Sequence, residues 1–181
     1  MVLLLLAIVG CSQVNQPVQQ PQSTSNQGCQ WSVYFSPDGG CTEAIVDAIG
    51  EARKTVHVQA YSFTSSKIAK ALIRAKDRGV DVRVILDGGV TSHQYSPADF
   101  FANSGVDVKL DYAHALAHNK VMIIDGETVI TGSFNFTKAA ETKNAENVLV
   151  IRDKDLAARY AENWRKHEAH SVVYRGRGAR R

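Results

Sequence analysis

His118-Asn119-Lys120-Val121-Met122-Ile123-Ile124-Asp125-Gly126-Glu127-Thr128-Val129-Ile130-Thr131-Gly132-Ser133-Phe134-Asn135 is the stretch whose reading decides the fold. The apolar run 121–124 stops at Asp125-Gly126, and a β-prone segment resumes at 128–131. This predicts a β-hairpin with Asp-Gly at its tip. Side chains alternate faces along a strand, so His118 and Lys120 project the same way. An imidazole can attack phosphorus, and an ammonium beside it neutralises charge building on the non-bridging oxygens. Ser133 and Asn135 repeat the two-residue spacing, and their hydroxyl and amide can donate to the same phosphoryl oxygens. Asp125 has the opposite parity and sits at the turn. It is read, with Gly132, as a structural member of the pattern rather than a reacting group.

Outward from the hairpin, periodicity alternates between strand and helix. Strands are expected over 31–35, 56–61, 80–86, 106–110 and 147–151. Helices are expected from Thr42, as N-cap, to Lys54; from Ser65 or Ser66 to about Arg78; over 97–103, with Pro97 near its start; and over 155–168. Their apolar stripes, such as Ile68, Leu72 and Ile73, are core. The fold class is therefore α/β, a mixed sheet flanked by helices in one domain over 29–170. Gly88-Gly89 lacks the surroundings of a phosphate loop and reads as a plain loop. The aromatics Tyr61, Phe63, Phe134 and Phe136 are assigned to packing before base stacking.

The pattern H-x-K-x4-D-x6-G-S-x-N, carried by His118, Lys120, Asp125, Gly132, Ser133 and Asn135, resembles the signature of the phospholipase D superfamily. The run from Gly132 to Asn147 is similar to the small bacterial endonuclease branch of that family. So are the stretches 35–46 and 59–64. The resemblance covers about residues 31–170. It implies an α/β/α sandwich and phosphodiester hydrolysis through a phosphohistidine. It also places a carboxylate at Glu146 as the partner that orients the histidine, where the residues alone would read an exposed Glu leading into a strand. Such a partner would fix the imidazole tautomer and stabilise the imidazolium. The substrate so implied is nucleic acid, most directly DNA, cut without sequence preference. A phospholipase using the same residues is the rival, and a non-catalytic nucleic-acid-binding module is the rival of another class.

In-line displacement needs a nucleophile on one side and an acid on the other. Only one H-x-K pattern is present, which points to a homodimer with two His118 residues facing each other across a two-fold axis. No cofactor and no metal is expected: a two-metal nuclease would show several convergent carboxylates. His114 and His118 stand four apart in a segment able to form one helical turn, but no third ligand accompanies them in sequence. His114 is left either lining the phosphate channel or packing near its mouth. His57, His93, His167 and His170 carry no signature.

Residues 2–9 form an apolar run too short for a membrane span but matching the core of a secretory signal. Ile8-Val9-Gly10-Cys11 resembles a bacterial lipobox, making Cys11 the candidate lipidation site and the expected location periplasmic, with membrane anchorage. The segment 12–28, rich in Gln, Ser, Asn and Pro, is expected to be a disordered tether. Cys29 and Cys41 would remain after processing, either as a disulfide or as two free thiols. The tail 171–181 holds four arginines, whereas the whole chain nets +3. It either tracks phosphates or is simply solvated.

Overall fold

The computed structural model describes residues 22–26, 29–89 and 96–177. In chain order the elements are β1 (Gln22–Asn26), β2 (Cys29–Ser36), α1 (Cys41–Glu51), β3 (Thr55–Ala60), α2 (Ser66–Asp77), β4 (Asp81–Asp87) and α3 (Pro97–Asn103). There follow β5 (Asp107–Asp111), β6 (Lys120–Ile124), β7 (Thr128–Gly132), α4 (Lys138–Thr142), β8 (Glu146–Arg152), α5 (Lys154–His170) and β9 (Val172–Val173). The strands make one sheet in the order β1-β2-β8-β7-β6-β3-β4-β5-β9. β3, β4 and β5 are mutually parallel and the remaining pairs antiparallel. The expected α/β class with a mixed sheet is what the chain adopts.

The central strand β6 is buried along its whole length, and its alternation divides the core in two. Met122 and Ile124 join the larger cluster with Ile45 and Ile49 of α1 and Ile68 and Leu72 of α2. Val121 and Ile123 face the other way, onto Ala157 and Trp164 of α5. Trp164 settles its one donor on the Val58 carbonyl at 3.1 Å and stacks on His57, with ring centroids 4.3 Å apart. A buried aromatic with a polar edge needs such a partner.

The hairpin between β6 and β7 turns at Asp125 and Gly126, with φ of 54° and 67°. Two consecutive positive φ values are what a two-residue turn matching strand twist requires. The Asp125 carboxylate then reaches across to β3, accepting from the backbone N–H groups of Arg53, Lys54 and Thr55 at 2.9, 2.8 and 2.8 Å. Burial pushes its pKa up, but these three donors outweigh burial and hold it below the ordinary carboxylate value. They also explain why α1 stops at Glu51 rather than at the expected Lys54. The N–H groups that would continue the helical ladder serve Asp125 instead.

Four local readings are changed or settled by the structure. Thr42 is not a cap: α1 starts at Cys41 after Gly40. The Thr42 N–H donates to the Glu141 carboxylate at 2.6 Å, so a side chain from α4 caps the helix. Cys29 and Cys41 are both free thiols. Seven residue steps of extended β2 separate Cys29 from Ser36, about 23 Å, and Cys41 lies beyond the Ser36 end, whereas a disulfide needs Cα atoms within about 7 Å. Part of the expected tether, Gln22–Asn26, is strand β1, paired antiparallel with β2. An unpaired strand edge can capture an extended segment whatever its polarity. Residues 1–11 and the rest of the tether lie outside the described residues, as does His93. Finally, the start of the tail packs on the domain: β9 pairs with β5, the Tyr174 hydroxyl donates to Asp99 at 2.6 Å, and Arg177 pairs with Asp99.

Candidate active site

The C-terminal ends of the parallel strands β3, β4 and β5 share one edge of the sheet with the start of β6, because Ala60 pairs with Lys120. β7 ends and β8 begins on the same edge, where Gly132 pairs with Val148. Ligand sites in open α/β sheets gather at this edge, where strand ends leave side chains free to converge. The six positions of the sequence pattern separate here. His118, Lys120, Ser133 and Asn135 lie at this edge, while Asp125 lies at the opposite end of β6.

The loop 112–119 delivers His118. Asp87, at the end of β4, anchors it by accepting from the Ala117 N–H at 2.7 Å, while its other oxygen accepts from the Gly89 N–H at 2.9 Å. The Asn119 carbonyl accepts from the Tyr61 N–H at 2.9 Å, extending the β3–β6 pairing toward the histidine. The His118 side chain is exposed, with the Tyr61 ring 4.5 Å away. Lys120 is buried to 8% exposure, and its Nζ lies 3.0 Å from both ring nitrogens of His118 and donates to the His118 carbonyl at 2.9 Å. The same ammonium stands 5.3 Å from the Tyr61 ring centroid. Burial lowers the Lys120 pKa, and the negative charge of Glu146 opposes that shift.

Ser133 accepts from the Asn147 N–H at 3.1 Å, leaving its hydroxyl proton available. Gly132 has φ 149°, and a Cβ there would strike the Asn147 carbonyl oxygen, so only glycine lets β7 and β8 close at this point. The buried Oδ1 of Asn135 has no hydrogen-bond partner among the described residues. Rotation of the amide exchanges its two ends, so either a donor or an acceptor can be offered to a ligand. Glu146 opens β8. Its N–H donates to Ser36 Oγ at 3.1 Å, and its carboxylate accepts from the Asn144 amide at 3.2 Å. Among the described residues no hydrogen bond joins Glu146 to His118.

One reading from sequence changes at this edge. Residues 113–118 do not form a helical turn, and His114 points away from His118 toward Asp111. Beside His114 stand Asp111, three residues earlier, and His167 and His170 from α5, a grouping that the sequence did not reveal. The pair His167 and His170, three apart on one helix face, was the signal that could have been read. Phe63, Phe134 and Phe136 are core, each 2% exposed or less, which leaves Tyr61 as the ring at the site.

Residues 45–167 match the family described as cardiolipin synthase, PLD-like domain. The chain belongs to the phospholipase D superfamily, in its Nuc-like branch. It is 40% identical to the crystal structure of Nuc, a phospholipase D family member from Salmonella typhimurium, with a TM-score of 0.78 over 82% of this chain and 99% of that one. It is 44% identical over 138 residues to a phospholipase D of Rickettsia conorii, covering 76% of this chain and 69% of that protein. A mitochondrial cardiolipin hydrolase of Chlamydomonas reinhardtii is 32% identical over 148 residues, covering 82% and 65%. The superfamily, with the site's chemistry, makes the protein a phosphodiester hydrolase.

Proposed function

We propose that this phosphodiesterase is an endonuclease that cuts DNA without sequence preference and without a metal in the reaction. The supporting observation is an exposed His118 imidazole 3.0 Å from the Lys120 ammonium on an open sheet edge. A long polyanion can lie across such an edge, and phosphate-centred contacts carry no base readout. His118 attacks phosphorus, forming a P–N bond as the P–O bond to the leaving group breaks. Lys120, Ser133 and Asn135 hold the non-bridging oxygens, where charge accumulates. A second His118, from another copy of the chain, protonates the leaving oxygen. It then takes a proton from the water that hydrolyses the phosphohistidine. Glu146 is assigned to the far imidazole nitrogen, a contact that forms as the dimer closes over the site.

Three large apolar side chains support closure by a second copy. Leu116 is 57% exposed, Tyr112 58% and Phe35 53%. Leu116 precedes His118 by two residues, and Phe35 pairs with Asn147 beside Glu146. Export, acylation at Cys11 and a periplasmic location at a membrane surface complete the proposal, resting on the N-terminal sequence alone.

The second reading, hydrolysis of a phospholipid head-group ester, is favoured by the relatives named phospholipase D and cardiolipin hydrolase. A cavity of about 620 Å³ lined by Phe63, Phe100 and Phe101 offers it an apolar surface. Plasmid DNA and a fluorescent phospholipid, each incubated with wild type and with His118→Ala, separate the two. Nicking of DNA that is lost in the variant supports the nuclease. Lipid hydrolysis with intact DNA moves the protein to the second reading.

A further inference from the structure

Asp111 ends β5 with its side chain fully buried, and three imidazoles converge on it. His167 Nδ1 lies 2.8 Å and His170 Nε2 3.1 Å from Asp111 Oδ2, and His114 Nδ1 lies 3.2 Å from the same oxygen. Oδ1 accepts from the Ala113 N–H at 3.0 Å and also lies 3.2 Å from His114 Nδ1. Three imidazoles, one from a loop and two from a helix end, thus converge on one buried carboxylate. One ligand atom from each of the four residues lies within 4.8 Å of the other three.

We propose that Asp111, His114, His167 and His170 form a structural zinc site, separate from the phosphodiester chemistry. The donor set is three imidazoles and one carboxylate, a hard–borderline mixture suited to zinc in tetrahedral geometry. Bonds of about 2.0–2.1 Å place tetrahedral ligands about 3.4 Å apart, so the imidazole–carboxylate separations need only open slightly and the wider pairs, all within 4.8 Å, close. The side chains able to move are the open ones: His114 is 45% and His170 36% exposed, while Asp111 is fixed by burial. Both α5 histidines lie in its last turn, where the helix dipole favours a cation.

The placement assigns the metal a task. His114 belongs to the loop that carries His118 four residues later, and His167 and His170 belong to α5 on the far face of the sheet. A zinc ion joining them staples the catalytic loop to the end of the last helix. Asp87 already pins the same loop at Ala117. The ion takes no part in bond making, so chelation acts on the loop's order and the protein's thermal midpoint.

The full chain, stripped with a chelator and desalted, is titrated with cobalt(II) and then zinc(II). The result expected is one equivalent of cobalt per chain with the intense visible bands of a tetrahedral ion and no thiolate charge-transfer band, since Cys29 and Cys41 are not ligands. Zinc should displace the cobalt and raise the thermal midpoint. His114→Ala and His170→Ala, both at exposed positions and checked for folding by circular dichroism, should lose the tetrahedral bands, whereas His118→Ala should keep them. X-ray absorption at the zinc edge of the wild type, independent of any variant, should read only nitrogen and oxygen neighbours. A weak octahedral spectrum, uptake below one equivalent, sulfur neighbours, or binding lost in His118→Ala and kept in His114→Ala would each overturn the site.

Discussion

At the scale of single residues the account rests on Lys120, a cation held 8% exposed for the sake of its neighbour. A buried ammonium with no carboxylate bonded to it costs stability, and its benefit appears only when a phosphodiester anion arrives and gathers further charge in the transition state. Lys120→Met should therefore abolish turnover, by about 10³-fold or more on the scale of lost oxyanion donors, while the urea midpoint stays level or rises. Loss of both activity and stability would mean that the lysine holds the fold. Because burial lowers its pKa, the alkaline limb of the pH–rate profile should lie below 10.5. Gly132 is the second decisive residue. Gly132→Ala should cost about 1–3 kcal/mol in urea unfolding and lower activity as well, since β7 must move away from Asn147 and carry Ser133 with it. The spacing of His118, Lys120, Ser133 and Asn135 was legible in the sequence because all four sit at or just beyond the strand ends on one side of the β6–β7 hairpin. The Asp111 cluster was not legible, because its members come from a strand end, a loop and a helix end up to 59 residues apart.

At the scale of elements, the β6–β7 hairpin is tied to the start of β3 through Asp125. The three N–H bonds depress its carboxyl below the ordinary value of 3.8. A carboxylate so depressed contributes stability that is present above its unfolded value and lost as pH falls through the folded one. Asp125→Asn should thus destabilise by about 1–3 kcal/mol near neutrality. Its gap from wild type should close as pH drops from about 4 downward. A gap that is constant from pH 7 to pH 2 would show that charge is not the cause. The hairpin was readable from Asp-Gly between two β-prone runs. The cap of α1 was not, because Thr42 has the right chemistry for an N-cap and loses the position to Glu141, 99 residues away. Strand β1 was hidden for a related reason: edge pairing is made by the backbone, and a Gln- and Ser-rich segment gives no apolar alternation to announce it.

At the scale of the whole molecule, one exposed histidine supplies a nucleophile and no acid. The proposed remedy is a second copy across the open edge, where Phe35, Tyr112 and Leu116 stand exposed. Mixing wild type with excess His118→Ala and allowing subunits to exchange should depress activity well below that of diluted wild type, because each mixed dimer lacks one of its two histidines. Activity that scales only with wild-type content would make the monomer sufficient. The α/β class and the sheet's mixed character were apparent from the alternation of strand and helix periods. The second copy, by contrast, is inferred at every level from chemistry that one chain leaves incomplete.

The central claim is a covalent step at His118, and trapping it is the most direct test. Wild type and His118→Ala are each mixed with a short DNA oligonucleotide, quenched in alkali within the first turnover, and their intact masses measured. The account predicts a wild-type adduct bearing a nucleotide fragment joined through His118, and neither adduct nor cleavage in the variant. An adduct on another residue, or a His118→Ala protein that cleaves DNA as fast as wild type, would contradict it.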